Sequence, residues 1–402
     1  MTAARVIIAG GGPVGLMTAL GLAHAGVPVL LIEQEPALTI DLRAGSYHPP
    51  TLEAMAPYGI TDRMLERGIK VRHWQIRDRN NPAWVANWDL GLIADLTPYP
   101  YRLHLEQHRL TPIILDILRG EPLAEIQFSA RFTGVEQTAD GVRVTYERNG
   151  ERTVVDGAYL IGADGGRSNV RKAIGMPFEG FTWDERFMVI STSFDFQTRG
   201  YAKNVYLADP DQWATLFQMP GDVTPYWRIV IPTDINIPED VLAAPDAVEA
   251  WLQNFAPRAD ERYEVLYNSF YRVHQRVARN FRSGRVLLAG DAAHLNNPLG
   301  AFGLNSGIQD AANLIPKLAA VWHGAAPDSL LDLYDRQRHT ATVEHVQANS
   351  IANKRTMEER DPALRKAHFE ELVHTAETPE LARRFLINSS MIAAVQRASE
   401  VA

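Results

Sequence analysis

Val6-Ile7-Ile8-Ala9-Gly10-Gly11-Gly12-Pro13-Val14-Gly15 is an apolar run that stops on three consecutive glycines and restarts as an Ala- and Leu-rich segment. Residues 5 to 9 read as a short buried strand and Leu16 to Ala25 as an apolar helix. In that frame Gly10 makes the tight turn, Gly12 lets the main chain approach a pyrophosphate, and Gly15 lets helix and strand pack closely. Pro13 suits the first helical turn, where a missing N–H costs nothing. The free N–H groups and the dipole of the helix start then face the phosphates. Gly26 stops the helix, and Val29-Leu30-Leu31-Ile32 forms a second strand that ends on Glu33. An acid there is the expected acceptor for a ribose 2′-hydroxyl and disfavours a 2′-phosphate.

Two distant motifs extend this pattern. Gly162-Ala163-Asp164-Gly165-Gly166-Arg167-Ser168 and Gly290-Asp291-Ala292-Ala293-His294 each follow a run of buried-strand character, Ala158 to Ile161 and Val286 to Ala289. Together the three motifs imply FAD held along one side of a parallel sheet, in a Rossmann-like α/β domain assembled from separated segments. The expected division gives residues 1–70, 101–179 and 276–340 to the FAD domain. Residues 71–100 and 180–275, rich in Trp, Tyr, Phe, Thr and Pro, are expected to form an inserted antiparallel sheet that binds substrate. Residues 341–402 carry Arg, Glu, Ala and Leu at helical spacing and are expected to be a helical C-terminal segment.

Composition narrows the function. A chain of 402 residues has room for two domains or one large domain with a second layered onto it. Its net charge of -8 argues against a nucleic-acid partner. No stretch of about 18 apolar residues suggests a membrane span. The first residues begin a strand rather than a cleavable leader, so a cytoplasmic address is expected. The absence of cysteine excludes disulfides, thiolate metal sites and a redox-active cysteine pair, so electrons must travel through a cofactor. No metal site is expected, and no Gly-x-Ser-x-Gly elbow suggests acyl transfer.

The motifs resemble those of the class A flavoprotein aromatic hydroxylases, the family of p-hydroxybenzoate hydroxylase and phenol hydroxylase, over roughly residues 5 to 345. Gly10 to Gly15 is similar to the family's ADP-binding turn, and Arg43-Ala44 with Thr51-Leu52-Glu53 to its arginine loop. Gly162 to Ser168 with Val170-Arg171 resembles its Asp-Gly motif. Gly290 to His294, followed by Pro298, Gly300, Gly303-Leu304-Asn305 and Asp310-Ala311, resembles its second FAD motif.

This resemblance implies roles. Asp291 accepts from a ribityl hydroxyl, Gln107 lies against the FAD, and Arg43 meets the flavin or its diphosphate. Gly303-Leu304-Asn305 opens a helix whose positive end faces the flavin pyrimidine, where negative charge appears on reduction. Asp164 braces its turn or the cofactor ribose, and Arg167 and Arg171 orient the motif or meet the nicotinamide nucleotide. His294 belongs to the FAD motif rather than to a metal or base. The implied reaction uses NADH or NADPH, dioxygen and a flavin C4a-hydroperoxide to hydroxylate a phenolic small molecule in a dry site. With no second dinucleotide fingerprint, the nicotinamide binds in a shared cleft. The aromatic sheet offers Trp213, Phe217, Tyr226 and Trp227 as substrate wall, with Arg228 beside them to face a carboxylate or the flavin. His48 and Tyr206 are minor candidates for proton traffic.

Asn297-Pro298 departs from the Pro-Pro of many relatives, and Phe302 replaces a polar residue, so the Asn297 amide is a candidate to touch substrate or reshape the loop. Other flavin readings are a Baeyer–Villiger-type oxygenation or a catalytically silent flavin binder. Trp227-Arg228-Ile229-Val230-Ile231-Pro232 lacks the second Trp of a halogenase signature. Substrate identity stays open, as does oligomeric state, for which a homodimer is compatible.

Overall fold

The computed structural model describes residues 5–40, 44–259 and 261–402, so Arg43 lies outside the described residues. Its first sheet has six strands in the order Arg282–Ser283, Val286–Leu288, Tyr159–Gly162, Val6–Ala9, Val29–Ile32, Ala124–Gln127. All neighbours are parallel except the short edge pair Arg282–Ser283 with Val286–Leu288. Val6–Ala9, Val29–Ile32 and Tyr159–Gly162 are buried at every position, which is why they read as continuous apolar runs rather than alternating ones. Helix Pro13–His24 covers one face and packs against helix Phe302–Trp322 at close range. A Cβ on Gly21 would lie 2.3 Å from Ile315 Cδ1. A three-stranded meander over 130–157 lies against the same sheet, with Gly157 so near Ile7 that a Cβ would sit 2.8 Å from its Cδ1. The residue patterns above did not anticipate that meander.

The second large sheet has eight strands in the order His294–Leu295, Val265–Ala278, Phe178–Thr192, Tyr226–Thr233, Ala214–Met219, Asn204–Ala208, His73–Asp78, Val85–Asp89. It is antiparallel, as expected, at every neighbouring pair but one. Asn204–Ala208 pairs with His73–Asp78 in parallel. The two strands come from separate excursions of the chain, so no hairpin fixes their relative direction. The edge strand His294–Leu295 is lent to this sheet by the segment of the Gly290 to His294 motif.

Alternation along these strands creates two faces. Trp227, Ile229 and Ile231 turn to one side and pack with Val248, Leu252 and Phe255 of helix Pro245–Phe255. Arg228 and Val230 turn to the other. There Trp74, Trp88, Tyr206 and Val230 share a core with Met357, Phe369 and Leu386 from the C-terminal helices Ala348–Glu358, Pro362–Glu377 and Pro379–Ser389. Lys354 ties these helices down: it is buried, pairs with Glu185 and Glu358, and stands 4.3 Å from the Trp183 ring centre. A small fourth sheet, Ser46–Tyr47, Arg102–His104 and Ile69–Val71, lies at the junction of the two large ones.

Candidate active site

At the first glycine turn, main-chain crowding explains two glycines and openness a third. Gly10 has φ +113°, and a Cβ there would lie 2.2 Å from the Ala163 carbonyl oxygen. A Cβ on Gly15 would lie 1.9 Å from the Gly10 carbonyl oxygen. Around Gly12 nothing comes within 4 Å of that position, so a ligand can reach the main chain. Helix Pro13–His24 starts there without a side-chain cap. Its first N–H groups are thus available to a phosphate. Glu33 Oε2 accepts from Gly11 N at 2.5 Å and Oε1 from Glu35 N at 2.8 Å. Gln107, the first residue of helix Gln107–Leu118, lines the same groove as Gly12, Pro13 and Glu33.

The second and third motifs are fastened to this turn. Both oxygens of Asp164 are used within the chain, accepting from Ser168 Oγ at 2.5 Å and from the Asn169 and Val170 N–H groups at 2.7 and 3.0 Å. Asp164 therefore braces its turn. Arg171 donates to the carbonyls of Ala292 and Gly166, each at 2.8 Å, and so joins the two motifs, whereas Arg167 is exposed. Asp291 sits partly exposed in the turn Gly290–Ala292. Beneath it, buried Asp310 accepts from Gly290 N at 2.9 Å, His294 Nε2 at 2.8 Å and Arg338 Nε at 2.7 Å. Burial pushes this carboxyl up, but His294 and Arg338 outweigh it and hold the group below the usual carboxylate range. His294 is thus held as a hydrogen-bond partner of Asp310. Among the described residues no group of three His, Asp or Glu could hold a metal.

Gly300 has φ +111° and Ala301 φ +59°, and the helix Phe302–Trp322 follows without a side-chain cap. That start can face negative charge, and it carries Gly303, Leu304 and Asn305. The Asn305 side chain is occupied, accepting from His48 N at 2.8 Å and donating to the carbonyls of Ser46 and Ala301 at 2.8 and 2.7 Å. It locks the helix start to the segment 46–48. Asn297, upstream of the half-buried Pro298, is also occupied. Its Nδ2 donates to Gln275 Oε1 and the Ser350 carbonyl, and its Oδ1 accepts from Leu299 N. The expected substrate contact for Asn297 is corrected: the amide shapes the loop, because every hydrogen-bonding atom it has faces protein.

The predicted aromatic wall divides. Trp227 is on the far face, its indole donating to Asp195 Oδ1 at 3.1 Å, so its place in the wall is withdrawn. Trp213 is buried and donates to Glu358 Oε1 at 2.7 Å, which makes it core beneath the C-terminal helices. Phe217, Tyr226 and Arg228 do share the face toward the flavin loop. Phe217 stands 5.7 Å from His104, and Arg228 Nη2 donates to Tyr226 Oη at 3.0 Å.

What residue patterns missed is the cluster those three join. Arg102-Leu103-His104-Leu105-Glu106 alternates polar with apolar, yet all five residues are buried. Alternating charges on a strand ordinarily face solvent, and the sequence signal here is a charged face on a strand between two apolar segments. Arg102 Nε and Nη1, His104 Nε2, His48 Nδ1, Tyr47 Oη and both side-chain atoms of Asn204 are buried without a hydrogen-bond partner. Removing the partner of a buried ion typically costs ~3–5 kcal/mol, so an interior that keeps Arg102 this way is built for a ligand. Burial, with Arg102 and Arg228 adding, pushes His104 down to about 3 against the pull of its bond to the Gln218 carbonyl. Burial and then Arg102 push His48 well down, while burial, chiefly, raises Tyr226 to about 12.

The family model described as an FAD binding domain matches residues 3–349. Para-nitrophenol 4-monooxygenase of Pseudomonas sp. (strain WBC-3) is 36% identical over 362 residues, covering 90% of this chain and 89% of the relative. The chain belongs to the class A FAD-dependent aromatic hydroxylases. Among these, 6-hydroxy-3-succinoylpyridine 3-monooxygenase of Pseudomonas putida is 34% identical, over 89% of this chain and 90% of its own. The crystal structure of a p-nitrophenol 4-monooxygenase from Pseudomonas putida superposes with a TM-score of 0.91 at 33% identity, over 98% of both chains. The hydroxylase is accordingly a FAD-dependent monooxygenase of aromatic small molecules. Open Gly12 and the two uncapped helix starts fit that cofactor. None of its described helices is long and apolar enough to cross a membrane.

Proposed function

We propose that this hydroxylase oxygenates a small, electron-poor phenol or hydroxypyridine. Its FAD would lie from Glu33 and Gln107, past Gly12 and Asp291, to the start of helix Phe302–Trp322. Residues 1–70, 101–179 and 276–340 hold the cofactor in this reading, 71–100 and 180–275 present the substrate, and 341–402 close the site. When bound, FAD supplies the acceptance of hydride from NADH or NADPH and the activation of dioxygen. The chain's own residues do the rest. Glu33 binds a ribose hydroxyl, the helix start at Phe302 stabilises negative charge on the pyrimidine, and Phe217 and Tyr226 flank the substrate ring. The burial that pushes His104 down also marks a site from which water is kept.

The observation that carries this reading is the set of buried, unpartnered polar atoms at Arg102, His104, His48 and Tyr47, on the face that meets the flavin loop. Two relatives whose names specify a nitrophenol and a hydroxypyridine support the substrate class. The test is oxidation of NADH and of NADPH by the FAD-loaded enzyme with a panel of phenols and hydroxypyridines, following oxygen and hydrogen peroxide together. An oxygenated product with little peroxide is expected; peroxide alone with every compound, or no stimulation, sinks the substrate class. A cytoplasmic address is proposed with it, since a pyridine nucleotide must be at hand, and cell fractionation checks that. Light scattering of the holoenzyme decides between monomer and homodimer.

A further inference from the structure

The Gly300 peptide is held from both sides. Its N–H donates to Tyr206 Oη at 2.8 Å, and its carbonyl lies 2.8 Å from His48 Nε2. A carbonyl can only accept, so Nε2 carries the hydrogen there. Neutral His48 therefore presents a bare lone pair at Nδ1, buried and without a partner. Arg102 acts on His48 through its charge and on Tyr206 through its charge and a side-chain hydrogen bond, and lies over the Trp74 ring at 4.6 Å. Its Nη2 donates to the Ser389 carbonyl at 3.3 Å, leaving Nε and Nη1 unsatisfied. Among the described residues no carboxylate offsets its charge. The other groups around His48 are His104 on the strand of Arg102, and Phe302, whose ring stacks at 5.8 Å. Farther out are Tyr47, Tyr226, Arg228 and Glu106, the last already paired with Arg109 at 2.8 Å.

An unsatisfied donor pair beside a bare acceptor does not suit a carboxylate or a nitro group, which only accept. It suits a hydroxyl, which does both. We propose that Arg102 and His48 receive the hydroxyl of the substrate, the guanidinium donating to its oxygen and His48 Nδ1 accepting its proton. The O–H bond breaks, an N–H bond forms at Nδ1, and the electron pair stays on the oxygen facing Arg102. The positive charge favours that ionised form, whose ring is richer in electrons for attack on an electrophilic oxygen. The new negative charge offsets the burial and the Arg102 charge that keep His48 neutral in the free site, so the proton can rest on Nδ1. Arg102 thus selects phenols acidic enough to be ionised by one guanidinium. This rests on the phenolic reading above and adds to it the residues that ionise the phenol.

The probe is 4-nitrophenol, whose anion absorbs where the neutral form does not, added to oxidised FAD-loaded enzyme without NAD(P)H. Difference spectra across pH give its state when bound, and calorimetry in buffers of different ionisation enthalpy gives the protons released. In the wild type, at a pH where the free phenol is neutral, the bound ligand is expected to be the anion with no net proton release. Arg102→Met should weaken binding at least tenfold and leave the bound ligand neutral, and Arg102→Lys should restore the anion in part. His48→Asn should bind the anion and release about one proton to solvent, while His104→Asn should release none. Flavin content and thermal unfolding check each variant; should Arg102→Met fail to fold, Arg102→Lys and His48→Asn carry the test. A neutral ligand in the wild type overturns the pairing, as does unchanged binding in Arg102→Met or proton release from His104→Asn alone. If no phenol binds or is oxygenated, the phenolic reading falls and the pair with it; if phenols are oxygenated but the variants behave as wild type, only the pair falls.

Discussion

The cofactor groove and the substrate face recognise their ligands by different means. Around Gly10, Gly12, Gly15 and Gly290 the chain offers main chain: crowding at three of these glycines, open space at the fourth, and helix starts without caps. Around Arg102, His104, His48 and Arg228 it offers side chains that are buried and incompletely satisfied. A main-chain site is specified by a few glycines at fixed spacing, so it is written locally in the sequence. A side-chain site is assembled from strands far apart in the chain, and its members are ordinary residues until they meet. The first is tolerant of surroundings and strict about size; the second tolerates some change in size and is strict about charge.

Breaking the anchor of the main-chain half should have the largest effect. Asp310→Ala leaves Arg338 and His294 buried without their acceptor, with an expected loss of ~3–5 kcal/mol. Chemical denaturation of the holoenzyme should show it, and a loss below about 1 kcal/mol would mean that the network contributes little. Gly10→Ala forces a Cβ to 2.2 Å from the Ala163 carbonyl oxygen at φ +113°. Its FAD affinity should fall at least tenfold, about 1.4 kcal/mol, by flavin fluorescence titration. Retention of full flavin content would deny the crowding.

The side-chain half should declare itself through pH. His104 and His48 are pushed down in the folded state, so between the unfolded value near 6.5 and the folded values the unfolded chain binds more protons. Their contribution is complete above the unfolded value and is lost as pH falls through that window. From pH 6.5 to 5 His104 should cost ~2 kcal/mol, and His48 acts in the same direction. His104→Asn should flatten the fall of Tm over that interval; an unchanged slope would show that His104 is not held neutral. The smallest effect separates the two faces of the broad sheet. Phe217→Leu, toward the flavin loop, should raise KM several-fold, whereas Trp227→Phe, toward helix Pro245–Phe255, should leave KM alone and lower Tm by a few degrees. Equal KM shifts from both would contradict the alternation.

The fold of the cofactor half was legible because Val6–Ala9, Val29–Ile32 and Tyr159–Gly162 are buried on both faces and their glycine turns have few alternative uses. The broad sheet was legible as β-structure but not in its pairing, since nothing local to His73–Asp78 indicates that it lies parallel to Asn204–Ala208. Trp213 and Trp227 were misplaced because a large aromatic reads the same whichever side of a strand is lined with ligand. Asn297 looked available because its partners, Gln275 and Ser350, lie on a distant strand and a C-terminal helix. Arg102 and His104 were passed over because a charge on a strand usually means solvent, and only the packing of three sheets together takes the water away.

Gly300 belongs at once to the loop that leads into the flavin helix and to the hydrogen bonds of Tyr206 and His48. One peptide group is thus a shared boundary condition for two ligands. If occupying the phenol site narrows the positions Gly300 can take, the ordering done by the first ligand need not be repeated for the second. Linkage then makes the exchange symmetric: the factor by which a phenol tightens the hold on FAD equals the factor by which FAD tightens the hold on the phenol.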